Sequence, residues 1–281
     1  MKVQGIFTEI SSICVSLRQA TKQCDRNSIS ISFVPASYDD QSIKNFLTNC
    51  RDGNYSTLNN INKLEFQYHD QISIWWYTSG TFLYSMLNRA LRTVEIDTII
   101  KTGIFVHDIH HHIEQLHQEQ FSGQEKPQFT DYRSQCLSKV DFEKLLKSRD
   151  GLMSFNNFLS TNRDPDMGVF YATTNITNYN VITILLEKTV DPPNPSMPFA
   201  SVGHVSIFGS ENEILFSMHN VFRIENIEPV DIENNRMWKV ELKLTSDADQ
   251  QLSALAKLVR EEAHPGSSSW HRMGELLLLL V

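Results

Sequence analysis

The chain has 281 residues, 41% of them hydrophobic, and a formal net charge of −8. That length and apolar content supply one good core and a minor second unit, as in a soluble globular protein. The negative charge argues against nonspecific nucleic-acid binding, which relies on Lys and Arg neutralising phosphates, and favours a protein as the macromolecular partner.

The start, Met1-Lys2-Val3-Gln4-Gly5-Ile6, lacks a charged segment followed by a long apolar one, so no secretory signal is expected. Cys14, Cys24, Cys50 and Cys136 show no CxxC spacing, which predicts free thiols in a reducing, cytoplasmic setting and no structural zinc. Ile10, Ile13, Cys14 and Leu17 recur at helical spacing over residues 8–22, and Ile29, Ile31 and Phe33 alternate as in a strand. The polar run over residues 51–60 reads as a loop. Residues 1–64 are read as a flanking segment whose role the sequence does not reveal.

Phe82, Leu83, Met86, Leu87, Ala90, Leu91 and Val94 predict one amphipathic helix over residues 82–100. A second helix follows, with Ile109, Ile113 and Leu116 facing inward. Its other face carries His107, His110, His111, His112 and His117 and is expected to be solvated. His107 and His111 stand at i and i+4, but neither an HExxH pattern nor a third ligand accompanies them, so no metal is expected.

Residues 129–134 form a β-prone stretch carrying Arg133. Residues 154–162 read as a strand of spaced aromatics ending in the hydroxyls of Ser160 and Thr161. Further strands are expected at 181–186, 214–216, 221–224 and 238–244, with a Pro-rich loop over 191–198. Glu211 and Glu213 immediately precede the apolar run Ile214-Leu215-Phe216. Strand alternation puts both carboxylates on one side, roughly 6.5–7 Å apart, where both can face one small ligand. Charge at a strand start is also ordinary surface chemistry.

Beyond residue 245, the acidic stretch to Asp249 caps a helix with Leu252, Leu255, Leu258 and Val259 on one face. Residues 265–269 make a linker. Residues 270–277 then fit the opening of a tetratricopeptide repeat, which would offer a protein partner a helical surface. The terminal apolar run, 276–281, is far shorter than the roughly 20 residues of a membrane span, so none is expected.

Arg133, then Ser160-Thr161, then Glu211-Asn212-Glu213, in that chain order, resembles the signature of the arginine-specific mono-ADP-ribosyltransferases: an arginine on the first core strand, a Ser-Thr-Ser strand and a Glu-x-Glu strand. The segment from Tyr77-Thr78 to Asn88-Arg89-Ala90-Leu91-Arg92 is similar to that family's Tyr-Thr…Asn-x-x-Leu-Arg helix. The resemblance covers residues 65–246, leaving 247–281 as helix, linker and repeat opening. It implies an α+β, ADP-ribosyltransferase-like fold, with N-terminal helices followed by a two-sheet β core that binds NAD. Ser134 and Asn162 depart from it, standing where the family has glycine and serine.

The resemblance also implies roles. Glu213 would bond a hydroxyl of the nicotinamide ribose and hold its charge against the oxocarbenium-like transition state. Arg133 would grip the NAD pyrophosphate, a task suited to a planar, permanently charged fork; in isolation it reads equally as a surface ion pair. Ser160 would orient Glu213 and the ribose, with Thr161 supporting the strand; both hydroxyls read otherwise as backbone caps. Glu211 would position a guanidinium and take its proton. Asn88 and Arg92 would be structural. Residues 202–210 match the loop that presents the acceptor, with Ile207 or Phe208 either contacting it or joining the core. The implied activity moves ADP-ribose from NAD, used as substrate and without a metal, to a protein with an accessible arginine. Two alternatives remain open: an NAD glycohydrolase, and an inactive fold kept as a binding module.

Overall fold

Helical periodicity in the first half and alternation in the second divide the chain into a helical layer and a β layer. The computed structural model describes residues 44, 46–48, 50, 51, 58–68, 72–93, 95–121, 127–174, 181–192, 197–207, 212–230, 237–246, 249–254 and 257. The helix expected over 8–22, the strand near residue 30, the repeat opening at 270–277, and both Phe208 and Glu211 lie outside the described residues.

The helical layer comprises α1 (Leu58–Gln67), α2 (Ser73–Thr78), α3 (Phe82–Thr93), α4 (Ile96–Lys101) and α5 (Gly103–Phe121). α1 starts inside the polar run expected to be a loop. The single helix expected over 82–100 is instead α3 and α4. The Glu95 N–H bonds the Ala90 carbonyl at 2.9 Å, five residues back, which opens the helical ladder. Arg89 holds the Glu95 carboxylate at 3.2 Å across the break. The bend lets Leu83, Met86 and Leu87 of α3, together with Ile99 of α4, face the same core.

The histidines of α5 correct a second expectation. Only His107 and His111 are exposed, at 58% and 53%. The other three reach from α5 to neighbouring elements. His110 Nδ1 lies 2.6 Å from Ser217 Oγ, His112 Nδ1 2.7 Å from Ser73 Oγ, and His117 Nδ1 donates to the Phe199 carbonyl at 2.7 Å. The 3.6-residue period turns more than one face of α5 toward packed neighbours, so His110 and His117 fasten the helical layer to the β layer and His112 fastens α5 to α2.

The β layer comprises β1 (Phe129–Ser138), β2 (Leu152–Ser154), β3 (Leu159–Asn162), β4 (Val181–Val190), β5 (Phe199–Ser201), β6 (Glu213–Phe216), β7 (Val221–Val230) and β8 (Met237–Leu244), with α6 (Lys139–Leu146) and α7 (Pro165–Thr174) between them. The order is β2-β7-β8-β4-β1-β3-β6-β5, with β4 parallel to β8 and the other pairs antiparallel. The α+β core is one continuous eight-stranded sheet where two sheets were expected, with two halves, β2-β7-β8-β4-β1 and β3-β6-β5. They meet through the pair Tyr132–Asn162.

Residues 154–162 are not one strand. β2 ends at Ser154, and the chain turns before β3 begins at Leu159. The turn sends Phe155 into the core below the sheet and Phe158 into the helical core above it. Asn157 fixes it by donating to Asn88 Oδ1 and to the Phe158 carbonyl, both at 2.9 Å.

The upper core joins Trp76, Leu87, Phe105, Ile109 and Ile113 to Leu215 and Ala200 of the sheet. Residue 64 falls within α1, and Phe46, Leu47, Cys50, Ile61 and Leu64 share this core. Beyond β8, Asp249 accepts from the Gln251 and Leu252 N–H groups at 3.0 Å, the capping expected there, and pairs with Arg223 at 2.5 Å. Among the described residues, no helix is long and apolar enough to cross a membrane.

Candidate active site

β3 and β6 pair antiparallel, with Ser160 opposite Leu215 and Asn162 opposite Glu213. Partners across a pair share a face, so Ser160 sits diagonally from Glu213 on one side of the strands. That diagonal is closed by a hydrogen bond: Ser160 Oγ donates to Glu213 Oε1 at 2.6 Å. Glu213 opens a strand whose four residues are all buried, and it is itself 7% exposed. A carboxylate in such a place requires donors, and the serine hydroxyl supplies a charge-assisted one.

Arg133 enters from β1, and its Nη1 donates to the main-chain carbonyl of Ser160. Its Nε, withdrawn from solvent, has no hydrogen-bond partner among the described residues. Thr161 points to the other face of β3, where its buried hydroxyl lies 3.2 Å from the Ile214 carbonyl. Arg133, Ser160, Thr161 and Glu213 all border one cleft of about 520 Å³, within the range of about 300–1,000 Å³ usual for small-molecule sites. Glu211 lies outside the described residues, two positions before Glu213 in sequence.

The helical layer forms the opposite wall. The α2–α3 turn depends on Gly80, whose φ of 66° suits glycine, and it presents Thr78 and Tyr84 to the cleft. Tyr77 also borders the cleft, with its hydroxyl 3.1 Å from Asn88 Oδ1 and 3.3 Å from the Phe158 carbonyl. Burial, before any neighbouring charge, pushes the Tyr77 phenol well above its ordinary pKa, so it stays neutral. Asn88 bridges Tyr77, Asn157 and the Tyr84 carbonyl, in keeping with the structural role expected of it. The Arg92 side chain lies outside what is described.

The third wall is α7, absent from the sequence expectations. Its start is marked by capping. Asn162 Oδ1 accepts from the Asp164 N–H at 2.8 Å, and Asp164 Oδ1 accepts from the Asp166 N–H at 3.0 Å. Pro165 occupies the first helical position, where its missing N–H costs nothing. That Asp-Pro pair was the signal by which α7 could have been found. Gly168 then lets α7 approach β1 closely: a Cβ there would stand 2.8 Å from Tyr132 Cβ. The approach brings Tyr171, 49% exposed, to the cleft edge.

Both departures from the family pattern have local explanations. Asn162 directs its side-chain oxygen to the turn that starts α7. Ser134 lines the cleft, and it is not among the non-glycine residues with positive φ, which among the described residues are Asp150 and His219. Its Cβ is therefore accommodated without backbone strain. In the segment expected from the sequence to present the acceptor, Val202 is buried, while Ile207 is 44% exposed and donates its N–H to Thr78 Oγ1 at 3.3 Å. Among the described residues, no group of three or more His, Cys, Asp or Glu is placed to hold a metal ion.

No protein-family model and no curated protein matches the chain. Among solved structures it is similar to the Vis toxin, an ADP-ribosyltransferase from Vibrio splendidus, at 17% identity and a TM-score of 0.43, covering 76% of this chain and 88% of that one. It is similar to Plx2a, an ADP-ribosyltransferase toxin from Paenibacillus larvae, at 15% identity and a TM-score of 0.46, covering 76% and 100%. It is also similar to the ADP-ribosyltransferase HopU1 of Pseudomonas syringae pv. Tomato DC3000, at 15% identity and a TM-score of 0.47, covering 82% and 97%.

Proposed function

We propose that this chain is a mono-ADP-ribosyltransferase that moves ADP-ribose from NAD to arginine side chains of proteins, releasing nicotinamide. The observation that carries the reading is the Ser160 Oγ–Glu213 Oε1 hydrogen bond of 2.6 Å, set beside Arg133 in a single cleft. Arg133, oriented by the Ser160 carbonyl, brings a planar, permanent charge to the cleft wall that suits the pyrophosphate of a dinucleotide. Tyr84 and Tyr171 offer aromatic faces to its flat rings.

In this reading, NAD loses nicotinamide as the bond from ribose C1′ to the ring nitrogen breaks, and the bonding electrons leave with nicotinamide. Positive charge then grows on the ribose. Glu213, held in one orientation by Ser160, opposes that charge, and preorganised stabilisation of this kind is worth roughly 10²–10³ in rate per key group. A guanidinium nitrogen attacks C1′ and must lose a proton; Glu211, two residues upstream, is the base assigned to it. The arginine preference rests on that residue.

The test is incubation of the protein with labelled NAD and agmatine or poly-arginine, beside Glu213→Gln and Glu211→Gln variants. Label on the guanidinium that disappears with Glu213→Gln supports the reading. A Glu211→Gln variant that still releases nicotinamide but labels no acceptor supports the base assignment. Free ADP-ribose with no labelled acceptor from the unaltered protein would replace the transferase by an NAD glycohydrolase. NAD binding without turnover would replace both by a binding module.

A further inference from the structure

Between the helical layer and the start of β3, four groups close a ring of hydrogen bonds. Asn88 Nδ2 of α3 donates to the Tyr77 hydroxyl of α2 and to the Tyr84 carbonyl, both at 2.9 Å. A carbonyl can only accept, so the Tyr84 contact fixes which way the Asn88 amide faces and turns its Oδ1 toward Asn157. Asn157 Nδ2 donates to that oxygen and to the Phe158 carbonyl, both at 2.9 Å. The Tyr77 hydroxyl donates to the same Phe158 carbonyl at 3.3 Å and completes the ring. Tyr77, Asn88, Asn157 and Phe158 are all buried. Tyr77 borders the cleft, whereas Asn88 and Asn157 stand outside its lining.

The ring joins the two walls of the cleft at the place where they face each other. Tyr84 lies four residues before Asn88 on one wall, and Ser160 lies two residues after Phe158 on the other; both side chains border the cleft, as does Glu213. Apolar packing presses the helical layer onto the sheet, but it is non-directional and sets no lateral register. Hydrogen bonds are directional, and a buried polar network that places its hydrogens rigidifies the groups it joins. α5 has its own ties to the β layer through His110, His117 and Gln120. For α2 and α3, which carry Tyr77 and Tyr84, the ring is the tie to β3.

We propose that Asn157, acting through Asn88 and Tyr77, is a positioning residue that fixes the spacing of the cleft walls, and with it the place of Tyr84 relative to the Ser160–Glu213 pair. The inference rests on the NAD reading above. A ligand that touches both walls binds the correct spacing, so loosening the ring lowers the fraction of molecules ready to bind. Once bound, the dinucleotide bridges the walls itself, and the Ser160–Glu213 bond within the sheet is unaltered. The defect therefore falls on affinity, the reverse of what removing the Ser160 hydroxyl does.

The test is Asn157→Leu, which keeps the volume and removes both donors, made in the unaltered protein and in a Tyr84→Ala background. NAD affinity is measured by calorimetry, kcat by nicotinamide release, and amide hydrogen exchange without ligand over residues 82–90 and 158–162, with α5 and β8 as internal references. A binding-ready fraction of about one tenth gives NAD binding weakened about 10-fold, with kcat lowered no more than about 3-fold. Exchange at the two joined segments should be at least about 10-fold faster. In the Tyr84→Ala background the loss of affinity should shrink to about 2-fold or less, because the wall that Asn157 positions no longer offers its ring. Exchange equal to that of the unaltered protein overturns the tie. An affinity loss of equal size in both backgrounds, or a defect confined to kcat, overturns the positioning role. Should Asn157→Leu fail to fold, Tyr77→Phe, which keeps the edge packing of Tyr77 on Phe158 at 5.6 Å, decides by the same readouts. If the unaltered protein binds no NAD, the functional reading fails, and the exchange comparison still decides the tie.

Discussion

Replacing Ser160 by alanine separates two contributions made by one residue. The hydroxyl donates to Glu213 at 2.6 Å, whereas the main-chain carbonyl accepts from Arg133 and survives any substitution. Glu213 is 7% exposed, so water can replace the lost donor only poorly. A hydrogen bond to a charged group contributes about 1.5–3 kcal/mol net. If that stabilisation is realised as charge develops on the ribose, kcat falls about 10- to 150-fold, at about 1.36 kcal/mol per factor of ten. Arg133 keeps its anchor, so KM for NAD should change by no more than about 3-fold, the pattern of an interaction made in the transition state. Initial rates of nicotinamide release across NAD concentrations give both constants, and Ser160→Thr, which retains a hydroxyl on a strand, should recover most of the loss. A Ser160→Ala enzyme with kcat unchanged, or with its whole defect in KM, would refute the assignment of the hydroxyl to Glu213.

Other perturbations test the scaffold. Gly168→Ala places a Cβ 2.8 Å from Tyr132 Cβ, and overpacking of about 1–3 kcal/mol should outweigh the gain of about 1 kcal/mol in helix propensity. Thermal unfolding should show a net loss, and NAD should bind more weakly as Tyr171 moves with α7; an equal or higher melting temperature would show that α7 does not need this close approach. His110 and His112 titrate below the ordinary 6.5 because of burial, with Glu114 and Asp108 partly opposing. The unfolded chain then binds those protons more readily, so stability is intact above pH 6.5 and declines as pH falls below it toward the lowered folded values. Thermal unfolding between about pH 7 and pH 5 should show that decline, and a His110→Asn/His112→Asn variant should flatten it; an equal slope would exclude these two groups as its source. Burial pushes the Cys50 thiol up to about 12, so with native protein at about pH 8 alkylation mapped by mass spectrometry should label Cys136 well before Cys50.

The residues that share the cleft were more legible in the sequence than the way the fold brings them together. Arg133, Ser160, Thr161 and Glu213, singled out by type and order, all border it. The strands near them were readable wherever apolar residues alternate or run together, as in β4 and β6. Elements that depend on a local interruption were not. The break between α3 and α4 comes from one wide hydrogen bond at Glu95, which leaves the apolar periodicity of 82–100 nearly intact. The turn between β2 and β3 hides in a run of aromatics because Phe155 and Phe158 are both buried, on opposite faces. The α5 histidines were read as a solvated face because periodicity identifies the apolar stripe and says nothing of what packs beside it. Tyr84 and Tyr171 were missed for a related reason: each sits at an exposed helical position, and only the placement of α3 and α7 against the strands brings both to one cleft.

Asn162 shows how a departure from a family pattern can be absorbed. It stands directly opposite Glu213, so a hydroxyl at that position could have reached the carboxylate from across the pair. Its amide oxygen instead accepts from the Asp164 N–H and starts the turn into α7. The carboxylate keeps its diagonal donor, Ser160, and the side chain that differs does local work in setting the third wall of the cleft. On this geometry, Asn162→Ser should cost α7 its entry turn without giving Glu213 an indispensable partner. The expected outcome is a loss in NAD affinity larger than any change in kcat. A kcat raised by Asn162→Ser at unchanged affinity would mean instead that a second donor to Glu213 limits the native site.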